Sequence, residues 1–318
     1  MADKLAWPLI GHGAAETAFV DAKHGGKLHH GWLVSGPSGI GKARFAMRMA
    51  ASLLGAETAP KTLDAPRDDS IIQKIEADAH PDLRWICRRP DEKGKLRQDI
   101  PVDAIRELNA FFALKPALGG WRVGVIDSLD ELNRSGANAL LKTLEEPPAN
   151  CLLVLISHNT RPVLPTIRSR CRTVQLHCLD EADTERVFAQ LETETGDQIS
   201  AGAKLLARGR PGHGLKLASS TGLAAANAAR AYLKGLPTPS DATLADALLK
   251  CGVDETAYAA FGDEVLAWLA EMAQEKTEYA STWLEAARAL ADAQDLNMDR
   301  QQSAAKLLAG LQKTKRTA

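Results

Sequence analysis

Between positions 36 and 43 the chain reads Gly36-Pro37-Ser38-Gly39-Ile40-Gly41-Lys42-Ala43. Glycines and a lysine at this spacing let a backbone curl until successive amides face one point, with an ammonium group beside it. That is chemistry for a phosphate. A serine or threonine after the lysine would supply the hydroxyl that holds magnesium across the outer phosphates, and the residue there is Ala43. Asp127 ends an apolar run and could hold a metal. Ser128 follows it, where a glutamate would orient and deprotonate water, and a serine near neutral pH cannot be that base. Both losses fall on hydrolysis, while Gly36, Gly39, Gly41 and Lys42 keep the scaffold for an anion. A plainer reading stays open, in which the glycine turn serves only the strand-to-helix crossover and no nucleotide is bound.

Such a loop needs a strand before it and a helix after it. Short continuous apolar runs at 32–35, 83–87, 123–126, 152–157 and 173–176 predict five strands buried on both faces. Helical patterns at 43–54, 102–114 and 134–146 alternate with them, and Pro147-Pro148 stops the last. Strands alternating with helices imply a parallel, three-layer α/β domain. Past 179 the strand signals cease. Residues 180–220 read as a small glycine-punctuated helical unit, and 221–318 as an Ala/Leu-rich helical domain with long stretches at 255–274 and 282–293. The expected fold is therefore α/β plus all-α, with a phosphate-loop domain over 1–179 and helices thereafter. Residues 55–70 read as a surface excursion.

The 318 residues carry 39 Lys+Arg and 40 Asp+Glu, so no global field draws the chain to nucleic acid or anionic lipid. A composition 45% apolar and 25% charged argues against disorder. No apolar run reaches the roughly 18 residues of a bilayer span, and positions 1–8 lack the pattern of a signal peptide. The expectation is a cytoplasmic protein with no membrane role. Cys87, Cys151, Cys171, Cys178 and Cys251 form no Cys-x-x-Cys pair and are expected as reduced thiols. His12, His24, His29, His30 and the other histidines show no ligand spacing and are expected at the surface. Arg84, Arg88, Arg89, Lys93, Lys95 and Arg97 are interleaved with Asp91, Glu92 and Asp99, which favours a solvated hairpin over a DNA contact.

Three further motifs accompany the loop: His80-Pro81-Asp82-Leu83, Ala139-Leu140-Leu141-Lys142-Thr143-Leu144-Glu145-Glu146-Pro147-Pro148, and Thr166-Ile167-Arg168-Ser169-Arg170-Cys171. With them the chain resembles bacterial clamp-loader subunits, the AAA+ family that serves DNA polymerase III, specifically over about 7–217. The resemblance implies an AAA+ module over 1–179, a helical lid over 180–220 and an oligomerising helical collar over 221–318. It implies a ring that opens a sliding clamp and places it on primed DNA. Motor subunits of the gamma/tau type and a delta subunit are the implied partners, with the clamp contacted weakly or indirectly and DNA through its phosphates. Family members without a working site contribute an arginine to a neighbour's, and Ser169-Arg170-Cys171 makes Arg170 that candidate, with Arg168 the weaker one.

The resemblance also sharpens what is missing. Many relatives carry four zinc-binding cysteines between the phosphate loop and the second strand; residues 55–80 contain none, so no zinc or other cofactor is expected. Gly209-Arg210-Pro211-Gly212-His213-Gly214 lacks the arginine with which a motor lid reads nucleotide. Ser157-His158-Asn159, placed where active relatives touch the γ-phosphate, is expected to satisfy its own backbone. Leu140, Leu141 and Leu144 read as a core face, and Glu145-Glu146 as a solvated end or a subunit-contact edge. Two other readings compete. One is an independent ATPase holding magnesium through Asp127 and water, with Asp130 as base; the other is a pure scaffold in which Arg170 is replaceable.

Overall fold

In the computed structural model of the protein, residues 9–92, 94, 96–158, 163–218, 220–296 and 298–317 are described. Five strands, β1 (Gly31–Ser35), β2 (Leu83–Cys87), β3 (Arg122–Asp127), β4 (Cys151–Ser157) and β5 (Arg172–Gln175), pair in parallel in the order β2-β3-β4-β1-β5. Helix α1 (Gly13–His24) precedes β1, and α2 (Lys42–Leu53) and α3 (Ser70–Glu76) separate β1 from β2. The next crossovers are α4 (Val102–Phe112) and α5 (Arg134–Glu145), and the short α6 (Pro165–Arg168) leads into β5.

The apolar runs of the inner strands lack alternation because both sheet faces are covered there, while the edge strand β5 departs from the expectation and buries only Val174. Trp32, Val34, Val123, Val125, Leu152, Val154 and Ile156 pack with Phe19, Phe45, Met49 and Ile72 of α1–α3. The residues between them, Leu33, Ile126, Leu153 and Leu155, pack with Ile105, Leu108, Phe112 and Leu140 of α4 and α5. All five expected strands lie within one residue of the observed ones. Helix α3 is an addition, begun by Asp69, whose carboxylate accepts the amides of Ile71 and Ile72 at 2.7 and 3.1 Å.

The His80-Pro81-Asp82-Leu83 motif supplies the acid of a buried tie. Asp82 is fully buried and accepts the amides of Ala117 at 2.7 Å and Leu118 at 2.9 Å, and its carboxylate lies 3.3 Å from Arg122 Nε. Arg122 also donates to the Phe111 carbonyl, and its guanidinium stacks 4.5 Å from the centre of the Phe111 ring. One carboxylate thus fastens the start of β2 to the segment that enters β3.

Helix α7 (Glu181–Thr195) is capped by Asp180 and ends at Gly196, whose φ is 75°. It completes a first compact unit that runs to Gln198 and takes in Arg208–Gly212. The second unit comprises Ile199–Ala207 and the chain from His213 onward, and its described elements are all helical. These are α8 (Ala201–Ala207), α9 (Pro211–Leu217, whose first two residues belong to the first unit), α10 (Ser220–Lys234), α11 (Asp241–Cys251), α12 (Glu255–Glu275), α13 (Glu278–Asp295) and α14 (Arg300–Thr317). Tyr232, Phe261, Val265, Leu269, Tyr279 and Leu308 lie at the centre of the core shared by α10 through α14.

Candidate functional site

Parallel strands end on one side, so the sheet order gathers the carboxyl ends of β1, β4 and β3. Ser35 pairs with Ser157, and Asp127 with Ile156. Gly36 leaves β1 at φ 148°, and a Cβ there would lie 2.4 Å from the carbonyl oxygen of Leu176. Gly41, at φ 104°, turns the chain into α2. The structure therefore requires glycine at the two ends of the 36–41 loop.

The loop is held on three sides. Lys42, 3% exposed, donates from Nζ to the carbonyls of Gly36 at 2.7 Å and Pro37 at 2.6 Å. His12 donates from Nε2 to the Ile40 carbonyl at 2.8 Å. Gly212 donates its amide to the Gly39 carbonyl at 2.8 Å, and a Cβ on Gly212 would come within 3.0 Å of Gly39 Cα. The 209–214 motif, which lacks the arginine for reading nucleotide, clasps the loop through backbone.

His12 corrects the expectation that the histidines lie at the surface: it is buried, as are His80 and His213. Its burial pushes the imidazole pKa down, keeping the ring neutral and able to donate one proton to the loop. A lone histidine ahead of a helix carries no spacing signal, so sequence reading missed it.

Burial likewise pushes the Lys42 ammonium down to about 8, against the opposing pull of Asp127 and Asp130. Lys42 is expected to titrate near pH 8, measured by side-chain nitrogen NMR. Its folded pKa lies below the ordinary 10.5, so the unfolded chain binds the extra proton between those values. Stability from this group therefore rises with pH across that window, and the cost of burying the charge is fully present below it. A midpoint above 10 would show the ammonium to be solvated.

Asp127 stands at the end of β3, half-buried. Ser128 is 1% exposed with its hydroxyl buried and unpartnered, a poor place from which to handle water. Asp130 sits in a 3-10 turn over Leu129–Glu131, where its two carboxylate oxygens accept Ser157 Oγ at 3.2 Å and the His158 amide at 2.7 Å. Asp130 thus engages the end of β4, because the 3-10 turn brings a carboxylate alongside. Asn159 lies outside the described residues. Both oxygens of Asp130 are already accepting from the end of β4, which commits the carboxylate to holding that turn.

Arg170 stands elsewhere. The Cβ that Gly31 lacks would lie 3.1 Å from the Arg170 carbonyl oxygen, which places Arg170 at the amino end of β1, opposite the phosphate loop. The strand between them rises about 3.3 Å per residue, so five residues separate the two sites by roughly 13 Å of sheet. Arg170 Nη1 donates to the Thr166 carbonyl at 2.9 Å and to Ser169 Oγ at 3.3 Å, and Nη2 meets Glu145 Oε1 at 2.9 Å. Neighbouring Cys171 is buried enough that its thiol pKa is pushed up to about 12, so it is a packing group.

A five-stranded parallel sheet with the strand order β2-β3-β4-β1-β5, and a glycine-lysine loop leaving β1, defines an AAA+ domain of the P-loop type. The sequence pattern of the family described as "DNA polymerase III, delta subunit" matches residues 11–180, more than half of the chain, and the chain belongs to that clamp-loader family. It is 40% identical over 149 residues to DNA polymerase III subunit delta' of Pseudomonas aeruginosa, covering 47% of this chain and 43% of that one. Subunit delta' of Escherichia coli is 32% identical over 195 residues, 60% of this chain and 55% of that one. Subunit gamma of Buchnera aphidicola is 36% identical over 158 residues, 50% and 41% of the two chains. The match therefore spans about half the length, or less, of these curated relatives.

Proposed function

We propose that the chain acts as a delta-prime type subunit of the DNA polymerase III clamp loader, silent at its own phosphate loop, and supplies Arg170 to the ATP site of an adjacent subunit. The observation that carries this reading is the placement of Arg170 at the amino end of β1, where it cannot reach the loop that leaves the carboxyl end. An arginine so placed can serve phosphoryl transfer only on another chain. Ala43, the buried Ser128 hydroxyl and the double engagement of Asp130 support silence at the chain's own site. The same features weigh against the motor-type reading that the gamma relatives suggest.

The gamma/tau motor subunits and a delta subunit are the proposed partners, with primed DNA held through its phosphates. The division into module, lid over 180–220 and collar over 221–318 belongs to the same proposal. Leu249, Val253 and Leu284, more than half exposed, support a role for the last region in assembly.

The purified chain alone is expected to release no phosphate from ATP above background, since loss of a general base costs about 100- to 10,000-fold. Steady turnover by the chain alone, abolished by Lys42→Ala, would establish the independent-ATPase reading in its place.

A further inference from the structure

We infer that Glu145 is a positioning residue for Arg170, fixing the direction in which the guanidinium leaves this subunit; the inference rests on the trans-acting reading of Arg170 above. The contacts of Arg170 to the Thr166 carbonyl and Ser169 Oγ come from the turn that carries it and move with it. Glu145 comes from a separate element, the last turn of α5, and meets Nη2 at 2.9 Å.

That helix end is firmly held. The carbonyl of Leu144 accepts His30 Nε2 at 3.0 Å, and the Leu144 side chain is 2% exposed. Gly31 lets the two segments meet. A Cβ at that position would lie 3.0 Å from Leu144 Cδ2, 3.1 Å from the Arg170 carbonyl oxygen and 3.3 Å from Cys171 Sγ. The end of α5 and the turn of Arg170 therefore close on one glycine, which brings Glu145 to the guanidinium.

Stability does not explain the pair. The side chains are 35% exposed for Arg170 and 50% for Glu145, and ion pairs this wet contribute little to folding. What an anchored carboxylate can do is narrow the rotamers of a long side chain, so that less freedom is lost when the guanidinium meets a phosphoryl group. A group of this kind acts on kcat and leaves KM for ATP alone.

The test uses the reconstituted clamp loader carrying Glu145→Ala, Glu145→Gln, Arg170→Ala or the Glu145→Ala/Arg170→Ala pair, with ATP hydrolysis stimulated by DNA and clamp. Glu145→Ala is expected to cost about half of the kcat that Arg170→Ala costs, at unchanged KM. Glu145→Gln keeps the size and an acceptor oxygen and is expected to regain most of the rate. The double variant should match Arg170→Ala, since a residue acting only through another adds nothing once that other is gone. A wild-type rate for Glu145→Ala beside an impaired Arg170→Ala overturns the positioning role and leaves the trans-acting reading standing. So does a loss that adds to that of Arg170→Ala. A wild-type rate for Arg170→Ala removes the reading of Arg170 itself, and this inference with it.

Discussion

Replacing Arg170 with alanine is expected to leave the chain folded and assembled while lowering the clamp- and DNA-stimulated ATP hydrolysis of the reconstituted complex. A guanidinium placed against a transferred phosphoryl group offers a fixed fork of donors to charge on its oxygens, and such arginines contribute about 1,000- to 100,000-fold in other phosphoryl-transfer systems. A ring holds several ATP sites, and only the adjacent one loses its donor. The loss in total turnover is therefore much smaller: silencing one of several sites removes only that site's share, less than about half of the total, with that one site close to silent. Arg170→Lys keeps the charge without the fork and should restore the rate only in part. Gel filtration of the mutant complex establishes that assembly is intact. Wild-type turnover and clamp loading by an assembled Arg170→Ala complex would favour the scaffold reading.

The largest expected effect on stability belongs to Asp82→Ala. The substitution removes a fully buried carboxylate, leaves the amides of Ala117 and Leu118 without their acceptor and strands the Arg122 charge, which is only 6% exposed. Breaking one half of a buried pair typically costs about 3–5 kcal/mol, because the other half stays buried and uncompensated. Asp82→Asn keeps an acceptor oxygen and should cost less. Urea unfolding followed by tryptophan fluorescence is the measurement, with Asp103→Ala as the control. The Asp103–Arg106 pair is about 70% exposed on both sides, and its loss should change stability by less than about 1 kcal/mol. Equal midpoints for Asp82→Ala and the control would mean that the tie between β2 and β3 carries no load.

The central strands β1, β3 and β4 were legible because burial on two faces leaves a local trace, a continuous run of buried residues, whereas β2 carries the exposed Arg84 and β5 buries only Val174. Helix α3 had a local signal too, Asp69 ahead of Ile71, Ile72 and Ile75, but it is short and follows directly on the 55–70 excursion, so no helix is expected there. The glycines and lysine of the loop were legible for the same reason as the strands, since their spacing is their geometry. The clasp from His12 and Gly212 was not. Those residues reach the loop only after α1 and the 208–212 segment have folded over it. The meeting of Glu145 with Arg170 is of the same kind. Two motifs visible in sequence become a pair only because β1 and β5 are neighbours and α5 ends beside them.

The bonds from Lys42 to the carbonyls of Gly36 and Pro37 set a toll on any phosphate that would recruit this lysine. Those two oxygens belong to the same loop, so they compete at a concentration that dilution never lowers. A ligand needing the ammonium sees only the fraction of molecules in which it has turned away, and its apparent dissociation constant is the intrinsic one divided by that fraction. If the fraction were about one in a hundred, a micromolar site would behave as one of about 100 μM. The loop can thus keep its glycines and its lysine and still discriminate against nucleotide, by supplying that lysine with a resident acceptor.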